Sequence, residues 1–297
     1  MPEIAEVETI CRQLNDVVRK QRLLRIEVLD PLLQDSPSKK SKQRAGSFET
    51  ILSDDKPADA DGIKGREIIA VARQGKAILF RFNGGLAALL HLRMTGRLLY
   101  TPADQKSAPN DKGGENVAPS LLKHVRMVWH LSEGRLLLID PRRFATFVID
   151  RNGSFEAPSN DPLAGIPAER LEEIADGRRL PVKNFLMDQH LIPGIGNIYA
   201  CEILFAAGIN PRRPAGDLTN REWQTVSEKA VRIIKRAVDR RGTTISDWRD
   251  IYGCPGRNQH YLKVYGRHGE FCRRCGGTIE RIAQNGRGTW FCPACQH

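Results

Sequence analysis

Four cysteines near the end of the chain are spaced Cys272-x2-Cys275-x16-Cys292-x2-Cys295. Paired knuckles of this kind let two short turns converge on one tetrahedral Zn²⁺ through thiolates. Gly276 and Gly277 follow the first pair and Pro293 sits inside the second, which suits tight turns. The alternative is two disulfides, which belong to an oxidising compartment. The opening MPEIAEVETI carries acids and lacks the apolar core of a secretory signal, so we expect one structural zinc instead. Cys11 and Cys201 fall among apolar residues and read as buried fillers, and Cys254 has no paired partner. At the other end of the chain, Glu3 follows Pro2. Removal of Met1 would expose a secondary amine, and an α-amino pKa of about 8 leaves a useful fraction neutral at physiological pH. A neutral amine can attack an electrophilic sugar carbon and form an iminium, and a neighbouring carboxyl can give or take the proton. Taken alone, the same two residues are ordinary occupants of a first helical turn.

Charge points to a partner. The 297 residues carry 46 Lys+Arg against 35 Asp+Glu, a net of +11. Residues 210–297 hold 17 basic and 8 acidic residues, so +9 of that excess lies in the last 88 positions. A basic region of this kind favours a polyanion, nucleic acid first. The longest apolar runs, such as Gly84–Leu90, are far shorter than the roughly 18 residues of a membrane span, so no membrane partner is expected and we read a cytoplasmic location.

These residues must be positioned by surrounding elements. Val7, Ile10, Cys11, Leu14, Val17 and Val18 recur at helical steps, which predicts an amphipathic helix over residues 2–19. Residues 34–63 are polar and non-periodic and read as a flexible surface insert. From Ile63 to Ile149 the pattern is a series of β-favouring runs separated by turn residues, which predicts an all-β sandwich or barrel behind the leading helix. Residues 101–120 read as a further loop and 151–165 as a linker. Helices are then expected over Pro167–Ala175, Val182–His190 and Ile198–Ala207, with Asn197 as an N-cap. A longer helix should follow the Thr219/Glu222 capping box, carrying Arg232, Lys235, Arg236 and Arg240 on its polar side.

The whole set of motifs resembles the bacterial formamidopyrimidine-DNA glycosylases. MPEIAEVET is similar to that family's MPELPEVET start. Asp140-Pro141-Arg142-Arg143-Phe144 resembles its DPRRF loop, and Asp188-Gln189 with Gly194-Ile195-Gly196-Asn197-Ile198-Tyr199-Ala200 resembles its helix–two-turn–helix motif. Val264-Tyr265-Gly266-Arg267 and the four cysteines resemble its zinc finger. The ordered set is specific, whereas each motif alone is modest.

The resemblance implies an α+β multidomain fold. An N-terminal helix plus β-sandwich would occupy 1–150, a helix–two-turn–helix domain with a lesion-reading loop 166–262, and a β-hairpin zinc finger 263–297. It implies a bifunctional DNA glycosylase and AP lyase for oxidised purines, acting on double-stranded damaged DNA as a monomer. Pro2 would be the nucleophile, Glu3 the proton donor near the sugar ring and Glu6 its support. Lys76 and Arg287 would complete the catalytic and phosphate-gripping groups, with His91 and Asn197 on further phosphates. For Asn197, a helix N-terminus after two glycines gives an independent reason, since it presents bare amides to an anion. Met94, Arg142 and Phe144 would fill the hole left by an extruded nucleotide, an apolar wedge and a planar hydrogen-bonding fork being what such a hole needs. Thr243 and Thr244 would contact the lesion. This sequence departs from the family pattern at Ala5, where Pro is usual, at Ala145, where Gly is usual, and in the length of 34–63. Two other readings compete: an endonuclease VIII-like enzyme for oxidised pyrimidines, whose branch usually starts MPEGPE, and a non-catalytic zinc-ribbon DNA-binding protein.

Overall fold

The computed structural model describes residues 1–29, 62–103, 119–150, 155 and 159–297. Most of the expected insert and loop, and seven of the fifteen expected linker residues, therefore lie outside the described residues. Glu3 and Glu6 close a capping box around the start of helix α1 (Ile4–Val18). Val7, Ile10, Leu14 and Val18 of α1 face a sandwich core, while Ile4 and Ala5 belong to a second, helical core. This one helix thus ties the two halves of the molecule together at its acidic end.

The sandwich has two four-stranded antiparallel sheets. One contains β1 (Leu23–Val28), β5 (Arg97–Pro102), β6 (Val125–Leu131) and β7 (Gly134–Ile139), in the order β1-β6-β7-β5. The other contains β2 (Ile68–Gln74), β3 (Ala77–Phe82), β4 (Ala87–His91) and β8 (Thr146–Asp150), in chain order. A four-residue helix α2 (Pro119–Leu122) precedes β6. Trp129 knits the sheets together, with ring centroids 4.6 Å from Phe80 and 5.5 Å from Phe147. Such aromatic pairs add to the area they bury. The expected surface insert ends earlier than its pattern suggested. Ile63 is fully buried in the sandwich core, and the Gly65 amide bonds to Leu23 O at 2.7 Å. A single isoleucine in a polar run gives no periodicity to read.

The helical half comprises α3 (Ala168–Ala175), α4 (Val182–Leu186), α5 (Asn197–Ala207) and α6 (Asn220–Asp239). Helix α4 is shorter than the expected Val182–His190. Leu191 and Ile192 turn back onto the Asp188 carbonyl, and the Asp188 side chain takes the His190 amide, so the backbone leaves the helix. Helix α6 starts at the expected Thr219/Glu222 capping box, and its chain leaves through Gly242 at φ +76°. The N-cap of α5 is Gly196; Asn197 is already inside the helix. Helix α5 is buried almost all round, so it is the central rod of this half. Cys11 and Cys201 are buried as expected, and burial pushes the Cys201 thiol up to about 12. The hairpin of β9 (Glu280–Gln284) and β10 (Arg287–Phe291) packs against α5. Its turn uses Asn285 and Gly286, both at positive φ, which matches the twist of a two-residue hairpin. Among the described residues no helix is long and apolar enough to cross a membrane.

Candidate active site

Three remote segments meet at the start of α1. The Glu3 carboxylate is buried and accepts the amides of Gly196 at 3.0 Å, Ile198 at 3.0 Å and Tyr199 at 3.3 Å. It therefore occupies the positive N-terminus of α5, where a negative group is favoured. Three of the amides at this terminus are thus held by an acid of the same chain, and the Asn197 amide is not among them. Only glycine permits this approach: a Cβ on Gly196 would stand 2.3 Å from Glu3 Cδ. Gly194 at φ +110° similarly abuts Ile4, and its carbonyl accepts the Ile4 amide at 3.0 Å. The two glycines thus dock the N-terminal segment onto the turn before α5.

Glu6 lies deeper. It accepts the Glu3 amide at 2.9 Å, the Tyr199 hydroxyl at 2.6 Å and the Thr243 amide at 2.7 Å. Burial, and then the neighbouring Glu3, push its pKa up to about 6, against those three hydrogen bonds. The folded value exceeds the value of about 4.5 for the unfolded chain, so between these pH values the folded state binds the extra proton. Stability from this group is complete below about pH 4.5 and is lost as pH rises through about 6, by about 2 kcal/mol. Thermal unfolding of parent and Glu6→Gln proteins across this window should show the decline only in the parent. Equal slopes would assign it to other groups.

Lys76 sits in the Gly75–Lys76 turn between β2 and β3, a tight hairpin position. Gly75 brings that turn against Pro193, 3.1 Å from where a Cβ would be. Burial lowers the Lys76 pKa, with Glu3 pulling the other way and Arg287 reinforcing it. An ammonium with a lowered pKa is suited to proton transfer. His91 ends β4. Its Nδ1 accepts the Arg93 amide at 2.9 Å, and burial, with Arg93 and Lys76, lowers its pKa to about 4. The ring is therefore neutral at pH 7, and its Nε2 carries the proton available to an acceptor.

Arg287 begins β10 at the exposed hairpin tip, and its backbone is firmly held. The Asn197 side chain donates to Gly288 O at 3.0 Å, and buried Lys183 donates to Thr289 Oγ1 at 2.7 Å. Asn197 thus braces the tip that carries Arg287. Lys183 lies outside the motif residues singled out from the sequence, and only its position in the fold reveals it.

Met94 and Phe144 are about half exposed, unusual for residues that could have been core. The Arg142 guanidinium lies 4.6 Å from the Phe144 ring centroid, with an Nη1 3.9 Å from Met94 Sδ. The trio forms one projecting patch. Its organiser is fully buried Asp140, which takes the amides of Phe144 and Ala145 at 2.7 Å each, the Arg142 amide at 3.2 Å and the Thr95 hydroxyl. One carboxylate therefore fixes both loops, and Ala145 is accommodated with its amide on Asp140.

Pro2, Met94, Ile198, Thr243 and the stretch Ile245–Trp248 line a small cleft of about 50 Å³. Thr243 and Thr244 use their hydroxyls internally. Thr243 Oγ1 meets Tyr199 and Asn258, and Thr244 Oγ1 donates to Trp248 O and accepts the Gly256 amide. They shape the loop that closes the cleft, and Ile245, Ser246 and Asp247 are exposed at its rim.

The four cysteine sulfurs lie within 4.8 Å of one another. Cys275 and Cys292 are 3.5 Å apart and Cys272 and Cys295 4.0 Å apart. Zinc–sulfur bonds of about 2.3 Å in a tetrahedron place thiolates about 3.8 Å apart, so the donor set fits one Zn²⁺.

The arrangement is a zinc-stapled helical module that sets a helix terminus and basic groups against a sandwich with Pro2 at the start of its leading helix. Comparison with known proteins agrees with it. Residues 1–147 match the formamidopyrimidine-DNA glycosylase N-terminal domain, 160–248 its H2TH domain, and 269–297 the zinc finger found in FPG and IleRS. The formamidopyrimidine-DNA glycosylase of Moorella thermoacetica is 38% identical over 95% of this chain and 94% of that one, and that of Gluconobacter oxydans 35% over the full length of both. The crystal structure of the MutM (Fpg) protein of Thermus thermophilus superposes with a TM-score of 0.76 at 32% identity, covering 99% and 98% of the two chains. A complex of Lactococcus lactis Fpg with DNA containing an abasic site gives 0.77 at 26% identity, covering 99% of each. The chain belongs to the formamidopyrimidine-DNA glycosylase family. It is a base-excision repair glycosylase with one structural zinc.

Proposed function

We propose that this protein, once Met1 is removed, excises oxidised purines such as 8-oxoguanine and formamidopyrimidines from duplex DNA and then cuts the strand. The Pro2 nitrogen attacks C1′; the glycosidic bond breaks and the base leaves with a proton. Glu3 protonates O4′ as the sugar ring opens, giving an iminium on Pro2. Loss of a C2′ proton then expels the 3′-phosphate, a second elimination expels the 5′-phosphate, and hydrolysis restores the amine. Lys76 is the proton-handling amine of the eliminations. Lys76, His91, Asn197 and Arg287 grip phosphates, while Met94, Arg142 and Phe144 fill the vacated stack. The loop from Thr243 onwards reads the lesion, chiefly through its backbone and rim. Residues 1–150 carry the chemistry, 166–262 and 263–297 hold the DNA, and the protein works as a cytoplasmic monomer.

The observation that supports this most is the placement of Pro2 in a cleft beside a Glu3 carboxylate locked on the α5 terminus. Borohydride reduction in the presence of 8-oxoguanine duplex should yield a covalent protein–DNA adduct on Pro2. Processed protein that excises without forming the adduct would overturn the lyase mechanism. Faster excision of thymine glycol than of 8-oxoguanine would reassign the substrate to oxidised pyrimidines.

A further inference from the structure

A second basic cavity lies away from the site just described. It encloses about 330 Å³ between the C-terminal half of α5, one face of α6, the turn Asn258–Tyr261 and the first zinc knuckle. That volume is within the range of small-ligand sites. Phe205 on its wall is eight residues beyond Asn197, so the cavity sits about 12 Å further along α5 than the proposed active site.

Six of its thirteen lining residues are cationic. Arg232, Arg236 and Arg240 repeat every fourth residue along α6, and Lys263, Arg273 and Arg274 face the same space. Like charges at that helical spacing repel and lower stability. Among the described residues, Arg232, Arg236, Arg273 and Arg274 make no ion pair. The one acid in the wall, Glu202, is engaged elsewhere: it accepts the amides of Lys263, Val264 and Tyr265 at 2.9 to 3.0 Å. Two of the guanidiniums lie over aromatic rings, Arg240 at 3.5 Å from the Tyr261 centroid and Arg274 at 4.3 Å from that of Phe205. A guanidinium over a ring face keeps edge N–H groups for an oxyanion. The Arg240 fork gives one bond to Asn258 Oδ1.

We propose that this cavity is an anion site for a ligand bearing adjacent phosphates. Cations stand on two walls, α6 and the zinc knuckle, and a ligand with adjacent phosphates offers an anionic group to each. A nucleoside polyphosphate or consecutive phosphates of a second nucleic-acid strand would supply that chemistry. The site is separate from the lesion cleft, so it can be filled while the enzyme is on its damaged duplex.

Full-length zinc-loaded protein is first saturated with a duplex containing a non-cleavable abasic analogue, at low salt. Pyrophosphate and ATP are then titrated calorimetrically, and a labelled undamaged single strand is titrated by anisotropy. One equivalent of at least one probe should bind. The Arg232→Gln/Arg236→Gln variant, altered only on an exposed helix face, should weaken it at least tenfold while excising lesions at the parent rate. Arg287→Ala should leave probe binding within twofold. Binding of ATP and pyrophosphate alone identifies a free nucleotide as the source, and binding of the strand identifies nucleic acid. If no probe binds, or if the double variant binds within twofold of the parent, the proposal is overturned. It is equally overturned if Arg287→Ala, and not the double variant, abolishes binding.

Discussion

Glu3→Gln is expected to lower single-turnover base excision at least a hundredfold while changing affinity for lesion duplex only a few-fold. The substitution keeps the shape of the side chain but removes its proton chemistry, and positioned acid–base groups contribute about 10² to 10⁴ in rate. It also has a structural consequence. One carboxylate oxygen accepts the Ile198 amide and the other accepts those of Gly196 and Tyr199. A glutamine places an NH₂ against at least one of these donors, at a cost of about 1 kcal/mol as in the loss of a helix cap. The rate loss and the stability loss can be separated. Gly196→Ala leaves every titratable group in place and displaces the carboxylate, because its Cβ would fall 2.3 Å from Glu3 Cδ. If geometry is what makes Glu3 effective, Gly196→Ala loses excision nearly as severely as Glu3→Gln. A preformed abasic site has no base to release, so both variants should retain more strand cleavage there than on 8-oxoguanine. Full excision by Glu3→Gln would remove Glu3 from the proposed chemistry.

How far this site could be read from the sequence depends on range. The strands of the sandwich were legible because each is a local β-favouring run bounded by turn residues, and α6 because Thr219 and Glu222 announce its start within four residues. The zinc set was legible because ligand spacing is itself a local geometric constraint. The link between Glu3 and Gly196 was not, since it spans 193 positions and depends on a helix terminus created only by folding. For the same reason three of the amides at the α5 terminus turned out to hold an internal carboxylate. Helix α5 is buried almost all round, so no single apolar face marks Tyr199 as the residue bridging Glu6 and the Thr243 loop. Asp140 was visible within its motif, yet its role as common acceptor for two loops required both loops in place. The same holds for the basic stripe on α6. Sequence showed its charge, and only packing showed that the stripe faces a cavity.

Removing zinc is expected to abolish productive DNA binding while leaving the sandwich folded. The zinc module has a small apolar core, Val264, Ile279 and two of the ligands, Cys272 and Cys292, packed on Cys201 and Phe205 of α5. A two-stranded hairpin is marginally stable in water, whereas structural zinc contributes about 10 to 16 kcal/mol in small zinc domains. The hairpin carries Arg287 at its tip, and the contacts from Asn197 and Lys183 reach only the adjoining Gly288 and Thr289. Without the metal, these three bonds face the full conformational freedom of the hairpin, and Lys183 loses the acceptors for a buried ammonium. A charge-assisted contact to phosphate is worth about 1.5 to 3 kcal/mol, so loss of Arg287 alone should weaken lesion-duplex binding about ten- to a hundredfold. Chelation or Cys292→Ser should weaken it at least as much as Arg287→Ala, and adding Arg287→Ala to the chelated protein should weaken it no further. Tryptophan emission offers an internal control: Trp290 lies in the hairpin, 4.4 Å from the Tyr265 ring centroid, whereas Trp129 lies in the sandwich core. Zinc loss should unfold the first signal and spare the second. Chelated protein that binds lesion duplex with parental affinity would show that the hairpin holds Arg287 without its metal.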